Sequence, residues 1–156
     1  SMNLIWADML TKNGRERMSV EQMGYGYRTS VFKRGEIHAI VLSALLRLKN
    51  SAKEEVSVKI EQFSERRKAT QPPGASMGPM FKNPEGDHAG RLIEAAGLKG
   101  TRIGNAEISM LHGNFFINHG ETRAEDVLAL IRLVQKNVSE KFGIQLELEV
   151  ELLGEW

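Results

Sequence analysis

Lys82 and Asn83 join a full positive charge to a carboxamide that both donates and accepts hydrogen bonds. They lie inside Gln71 to Gly100, a stretch punctuated by glycine and proline, and they precede a short apolar segment that reads as a helix. A loop delivered to a helix N-terminus offers unpaired N–H groups and the positive end of a dipole, an arrangement that suits an anion and above all a phosphate. The same residues read equally as a structural turn carrying a solvated lysine. A second group is Tyr27-Arg28-Thr29-Ser30. Its arginine, set among glycines and tyrosines, can fork onto a carboxylate or pair with a surface acid. A third is the alternating acids Glu147, Glu149 and Glu151, which read as a solvent-facing sheet surface or, where that face lines a cleft, as a source of an acid or enolate stabiliser. His112 sits at a strand connection, and His38, His88 and His119 are scattered with no metal-ligand spacing.

These groups need a scaffold, and composition bounds it. The 156 residues suffice for one domain with a core, or for one domain plus the tail of another. Hydrophobic residues make up 41% and charged residues 26%, the balance of a soluble globular chain. A net charge of +1 excludes a strong global field for nucleic acid or an anionic membrane, so any anion site is local. There is no cysteine, which removes disulfides, thiolate metal sites and a cysteine nucleophile. No apolar run reaches the roughly 18 residues of a membrane span. No secretory signal is visible, and Ser1 ahead of Met2 reads as a remnant before a start methionine. A cytoplasmic location is the expectation.

Along the chain, Leu4 to Leu10 and Arg17 to Val20 flank Asn13-Gly14, whose positive φ angles predict a hairpin. A helical turn is expected at Ser19 to Met23 and a loop at Met23 to Ser30. Ile37 to Leu48 reads as a buried strand, although its AxxLL segment also fits a helix. Composition changes at Lys49-Asn50-Ser51, dividing 1–50 from 51–156. Ala52 to Lys68 predicts an amphipathic helix with Val56, Val58, Ile60 and Phe63 toward a core and Arg66-Arg67-Lys68 favouring its C-terminus. Asp87 can cap a helix ending at Gly97. Strands are expected at Arg102 to Ser109 and at Asn114 to Asn118. Thr122 and Glu125 form a capping box for a helix reaching Phe142, with Val127, Leu130, Ile131, Val134 and Val138 inward and Gly143 as its stop. Gln145 to Leu153 alternates as a final strand. No internal repeat is present. The order predicts an α+β fold, a small mixed or antiparallel sheet packed with helices after a β-rich portion.

Several segments, in order, resemble the bacterial flavoenzyme family of UDP-N-acetylenolpyruvoylglucosamine reductases (UDP-N-acetylmuramate dehydrogenases). They are Gly26 to Lys33, Met80-Phe81-Lys82-Asn83-Pro84, Ala89 to Glu94, Ala96 to Gly100, Ser109 through His112 to Asn118, Glu125 to Leu128, and Leu146-Glu147-Leu148-Glu149-Val150. The match runs from about Glu21 onward and resembles that enzyme's C-terminal half. It implies the end of a second flavin-contacting domain over 1–50 and a substrate-binding domain over 51–156. The implied chemistry belongs to peptidoglycan synthesis: NADPH reduces FAD, and hydride passes to the enolpyruvyl ether of UDP-N-acetylglucosamine. By resemblance Arg28 and Glu149 stabilise the enolate-like intermediate, and Tyr27, Lys82 and Asn83 hold substrate, Asn83 at the diphosphate. The resemblance leaves the cofactor-binding residues open and implies no metal ligand.

Two departures shape the expectation. The family reads Gly-Ser-x-Phe-Lys-Asn-Pro where this chain reads Gly78-Pro79-Met80-Phe81-Lys82-Asn83-Pro84, so Pro79 replaces the proton-donating serine. Proline has neither a hydroxyl nor an N–H, and Ser76 is three residues away. The family's N-terminal flavin domain, with its glycine-rich pyrophosphate loop, also has no counterpart in these residues. The expectation is therefore a substrate-binding portion that turns nothing over alone and holds no FAD or NADPH alone, with a separate flavin domain as partner. The alternative is a non-catalytic UDP-sugar-binding or regulatory homologue.

Overall fold

Hydrophobic alternation and one glycine set up the first element. In the computed structural model, which describes residues 3–154, strand β1 (Leu4–Thr11) pairs antiparallel with β2 (Gly14–Ser19), Thr11 opposite Gly14. The predicted hairpin is present, but only Gly14 has positive φ (109°); Asn13 does not share it. Ser19 and Gln22 then cap each other, with the Ser19 N–H on Gln22 Oε1 at 2.8 Å and the Gln22 N–H on Ser19 Oγ at 3.4 Å. This reciprocal pair starts the expected single turn, which buries Met23.

β3 (Ile40–Leu46) pairs antiparallel with the other edge of β1, giving the order β2-β1-β3. The segment is a strand and not a helix, as its β-branched start favours. It is not buried: all seven residues are exposed, Ile40 at 64% and Val41 at 60%. Apolar content alone predicted burial, but as an edge strand it meets a neighbour along one side only. Ala7, Met9, Met18, Met23 and Val31 form the core here instead.

The chain forms two compact units, Ser1–Val56 and Ser57–Trp156, with the boundary inside α1 (Lys53–Thr70). That helix forms where predicted, yet none of its residues is buried. At about 100° per residue, Val56, Ile60 and Phe63 share a stripe while Val58 points the opposite way, so the four never made one core face.

In the second unit α2 (Ala89–Ala95) and α3 (Ala124–Phe142) pack with a three-stranded antiparallel sheet of order β4-β5-β6. The expected strand from Arg102 to Ser109 is instead a hairpin, β4 (Arg102–Ile103) and β5 (Ala106–Ile108), turned at Gly104 with φ 54°. Gly104-Asn105 was a readable turn signal. β6 (Phe116–Asn118) completes the sheet. The α3 face behaves as predicted, with Leu130, Ile131, Val134 and Val138 buried and Val127 half-buried. Its cap lies one residue later than predicted: Asp126 Oδ2 accepts the Arg123 N–H at 3.2 Å, while Glu125 pairs with the Arg123 guanidinium at 2.7 Å. The Thr122 hydroxyl is buried and finds no partner among the described residues. Gly143 stops α3 at φ 69°, as expected. α2 ends in a Schellman turn, the Leu98 N–H on Ile93 O and the Gly97 N–H on Glu94 O. Among the described residues no helix is long and apolar enough to cross a membrane.

Candidate functional site

The final acidic segment is not a regular strand. Its alternation survives in one antiparallel bridge, Phe81 opposite Leu148, flanked by Lys82 N–H to Glu147 O at 2.8 Å and Glu149 N–H to Met80 O at 2.9 Å. Leu146 is buried, and Leu148 and Val150 pack half-buried on the core, while Leu152 is exposed. This short pairing sets Lys82 opposite Glu147 and Met80 opposite Glu149. Lys82 Nζ makes an ion pair with Glu147 Oε2 at 3.0 Å, both side chains reaching solvent.

Asn83 does not present a bare helix end. Its Oδ1 accepts the Ala89 N–H, the first amide of α2, at 3.0 Å. Asp87, predicted to cap α2, accepts the His88 N–H at 2.6 Å and pairs with Arg91. The Arg91 hydrogen bond, helped by the His88 amide, holds the Asp87 carboxyl down to about 2. A carboxylate therefore stands where the sequence predicted an anion cradle. The groups left to meet an anion are the Lys82 ammonium and the Asn83 NH2, and these lie on the loop.

Tyr27 and Arg28 belong to the first unit, and Lys82, Asn83 and Glu149 to the second. Gly26 and Thr29 bridge each other, through Gly26 N–H to Thr29 O at 3.1 Å, and so place Tyr27 and Arg28 at the tip of a four-residue turn. Arg28 has φ 55°, a left-handed conformation that costs an L-residue on the order of 1–2 kcal/mol. Such an outlier at an exposed tip is the kind of strain that functional loops retain. Its guanidinium carbon is 6.0 Å from the centre of the Tyr27 ring. Ser30 is buried and accepts the Lys33 N–H, so it holds the turn.

Pro79 forms an antiparallel bridge with Phe115 and is half-buried. Ser76 is exposed and lines a cavity of about 360 Å³ with Met77, Ile117, Asn118, Thr122 and Val127. His112 acts in packing: its Nδ1 accepts the Asn114 N–H at 3.2 Å and its ring meets Phe115 edge-on. Gly90 is there because a Cβ would come within 2.8 Å of that imidazole.

The model of the family described as UDP-N-acetylenolpyruvoylglucosamine reductase, C-terminal domain, matches residues 69–153, more than half of the chain. The chain belongs to this reductase family. The reductase of Chloroflexus aggregans is 46% identical over 155 residues, covering 96% of this chain and 52% of the relative. That of Chloroflexus aurantiacus is 48% identical with the same shares. A reductase of Bacillus licheniformis is 40% identical, over 97% of this chain and 83% of the relative. The crystal structure of the reductase (MurB) from Thermus caldophilus superposes with a TM-score of 0.80 at 41% identity, over 96% of this chain and 52% of that one. The chain spans about half the length of the first curated reductases it matches.

Two residues of this reductase-family chain escaped the sequence reading. Asn114, 4% exposed, bonds both backbone groups of Phe81; a polar side chain between Gly113 and Phe115 in a buried run must find a partner, and that was the available signal. Asp8, also 4% exposed, receives Arg17 Nε at 2.8 Å, Arg15 Nη2 at 2.8 Å and Ser43 Oγ at 3.3 Å. The hairpin register sets Asp8 opposite Arg17. These arginines, Arg17 first, hold its carboxyl far below the usual carboxylate range.

Proposed function

We propose that this chain is the substrate-binding portion of a UDP-N-acetylenolpyruvoylglucosamine reductase, and that the Met80–Asn83 segment grips the diphosphate of a UDP-sugar. The observation that carries the reading is the backbone pairing of Met80 and Lys82 with Glu149 and Glu147, which gives a cation, a carboxamide and a carboxylate one fixed frame. Lys82 would exchange Glu147 for a phosphate oxygen, and the Asn83 NH2 would donate to a second. Glu147 is the carboxylate paired with Lys82, Glu149 stands opposite Met80, and by family resemblance Glu149 would stabilise the enolate-like intermediate. In the first unit, Tyr27 and Arg28 offer a phenol and a guanidinium that by family resemblance suit a substrate carboxylate. In the complete enzyme FAD, reduced by NADPH, supplies hydride to the enolpyruvyl ether, in a cytoplasmic step of peptidoglycan synthesis.

Strand β3 by itself does not fit the pyrophosphate of a dinucleotide flavin. β3 exposes Ile40, Val41, Leu42, Leu45 and Leu46, with no cation or glycine turn among them to meet a pyrophosphate. Pro79 favours a second reading, a UDP-sugar-binding homologue without turnover. It stands where a proton donor is needed and has no proton to give. Calorimetric titration with UDP-N-acetylglucosamine tests the shared core of both readings. Binding that Lys82→Ala weakens supports it, and no heat at millimolar ligand sinks it. NADPH oxidation on adding a relative's flavin-binding half would then favour the enzyme over the binding homologue.

A further inference from the structure

The extended segment that carries Lys82 and Asn83 pairs by backbone with Glu147 and Glu149 along one side of Phe81. There the Lys82 N–H meets Glu147 O and the Glu149 N–H meets Met80 O. Between those bonds the N–H and C=O of Phe81 point the other way, as they must in an antiparallel bridge. Among the described residues no strand meets them. The Asn114 carboxamide takes the strand's place, its Oδ1 accepting the Phe81 N–H at 2.9 Å and its Nδ2 donating to Phe81 O at 2.8 Å. The Asn114 carbonyl also accepts the Met80 N–H at 2.9 Å. Two residues beyond Phe81, Asn83 bonds the first amide of α2. Asn114 is itself held, since His112 Nδ1 accepts its N–H and it lies 4% exposed.

We infer that Asn114 is a positioning residue: by standing in for a strand against Phe81, its side chain fixes where Lys82 and Asn83 present their charge and carboxamide. The role deepens the proposed UDP-sugar site and rests on that reading for its ligand, but the positioning itself is legible without ligand. An apolar or smaller side chain leaves both Phe81 groups buried and unpaired, and only the Met80 N–H to Asn114 O bond and the Pro79–Phe115 bridge, both before Phe81, still hold that side of the segment.

Amide hydrogen exchange on the 156-residue chain and on Asn114→Ala tests it. Exchange at Phe81 should accelerate roughly 5- to 150-fold, the effect of an unmade buried hydrogen bond. The Ala89 amide, which Asn114 does not touch and Asn83 does, should accelerate with it, while Val134 and Val138 in α3 stay protected. Acceleration at Phe81 with Ala89 unchanged, or equal acceleration throughout α3, overturns the positioning role. Asn114→Asp keeps the size and the acceptor for the Phe81 N–H but sets a buried carboxylate oxygen against Phe81 O, so it should accelerate the same amides at least as strongly. If neither variant folds, Asn114 belongs to folding and the inference is wrong. A parallel titration with UDP-N-acetylglucosamine separates the two claims. If the unsubstituted chain binds, Asn114→Ala should weaken binding ~10-fold or more, and unchanged affinity overturns the inference. If the unsubstituted chain does not bind while the exchange pattern holds, the ligand reading fails and the positioning stands.

Discussion

Removing Glu147 should strengthen anion binding, whereas removing its partner Lys82 should weaken it. The ion pair between them spans 3.0 Å, with the Glu147 side chain 74% exposed and that of Lys82 31% exposed. A pair so open to water is worth about 0.2–1 kcal/mol. A phosphate that displaces Glu147 gives up that much, so Glu147→Gln should tighten UDP-N-acetylglucosamine by roughly 1.4- to 5-fold, a ratio that shrinks as salt screens the pair. A charge-assisted hydrogen bond to phosphate is worth about 1.5–3 kcal/mol, so Lys82→Ala should weaken binding by roughly 10- to 150-fold. The backbone bond from Lys82 N–H to Glu147 O survives both changes, so the frame should not move. Calorimetry at low and physiological salt, with thermal unfolding as a control on the fold, reads both effects. Glu147→Gln binding more weakly, or Lys82→Ala binding as tightly as the unsubstituted chain, would refute the assignment of Lys82 to the anion.

Three further outcomes follow from the packing. The depressed Asp8 carboxyl stabilises the first unit above the usual carboxylate value, and that contribution should be lost as pH falls from about 4 downward, seen in acid unfolding by the fluorescence of Trp6, which lies 3.6 Å under Arg17; Asp8→Asn should flatten this acid limb. Leu130→Ala removes a fully buried α3 side chain and should cost about 2–5 kcal/mol in chemical denaturation, while Phe63→Ala on the exposed face of α1 should stay within about 0.5 kcal/mol. Gly97→Ala places a side chain at φ 77° with open space around it, so conformational strain alone should lower stability by about 1–2 kcal/mol in thermal unfolding.

Where neighbours in sequence decide the outcome, the sequence was readable. The hairpin at Gly14, the α3 stripe and its stop at Gly143, and the Gly97 Schellman turn all follow from local pattern. Burial of β3 and α1 was not readable, because apolar content reports what a segment could bury, not whether anything covers it; Ile40 and Phe63 remain exposed. The Thr122 cap moved by one residue because Asp126, three positions beyond Arg123, accepts the Arg123 N–H and starts the helix there. At the candidate site, residue types singled out Lys82 and Asn83, family resemblance picked Glu149 from three alternating acids, and the pairing around the Phe81–Leu148 bridge holds Lys82 and Glu149 in one frame. The role of Asn114 depends on a contact across 33 positions, which no local pattern encodes.

The most direct test is a nuclear magnetic resonance titration of the chain with UDP-N-acetylglucosamine. The account predicts saturable shifts centred on the Lys82 and Asn83 amides, the Asn83 NH2 and the Ala89 amide that Asn83 caps. Unchanged spectra at millimolar ligand, or shifts elsewhere with Lys82 and Asn83 silent, would contradict it.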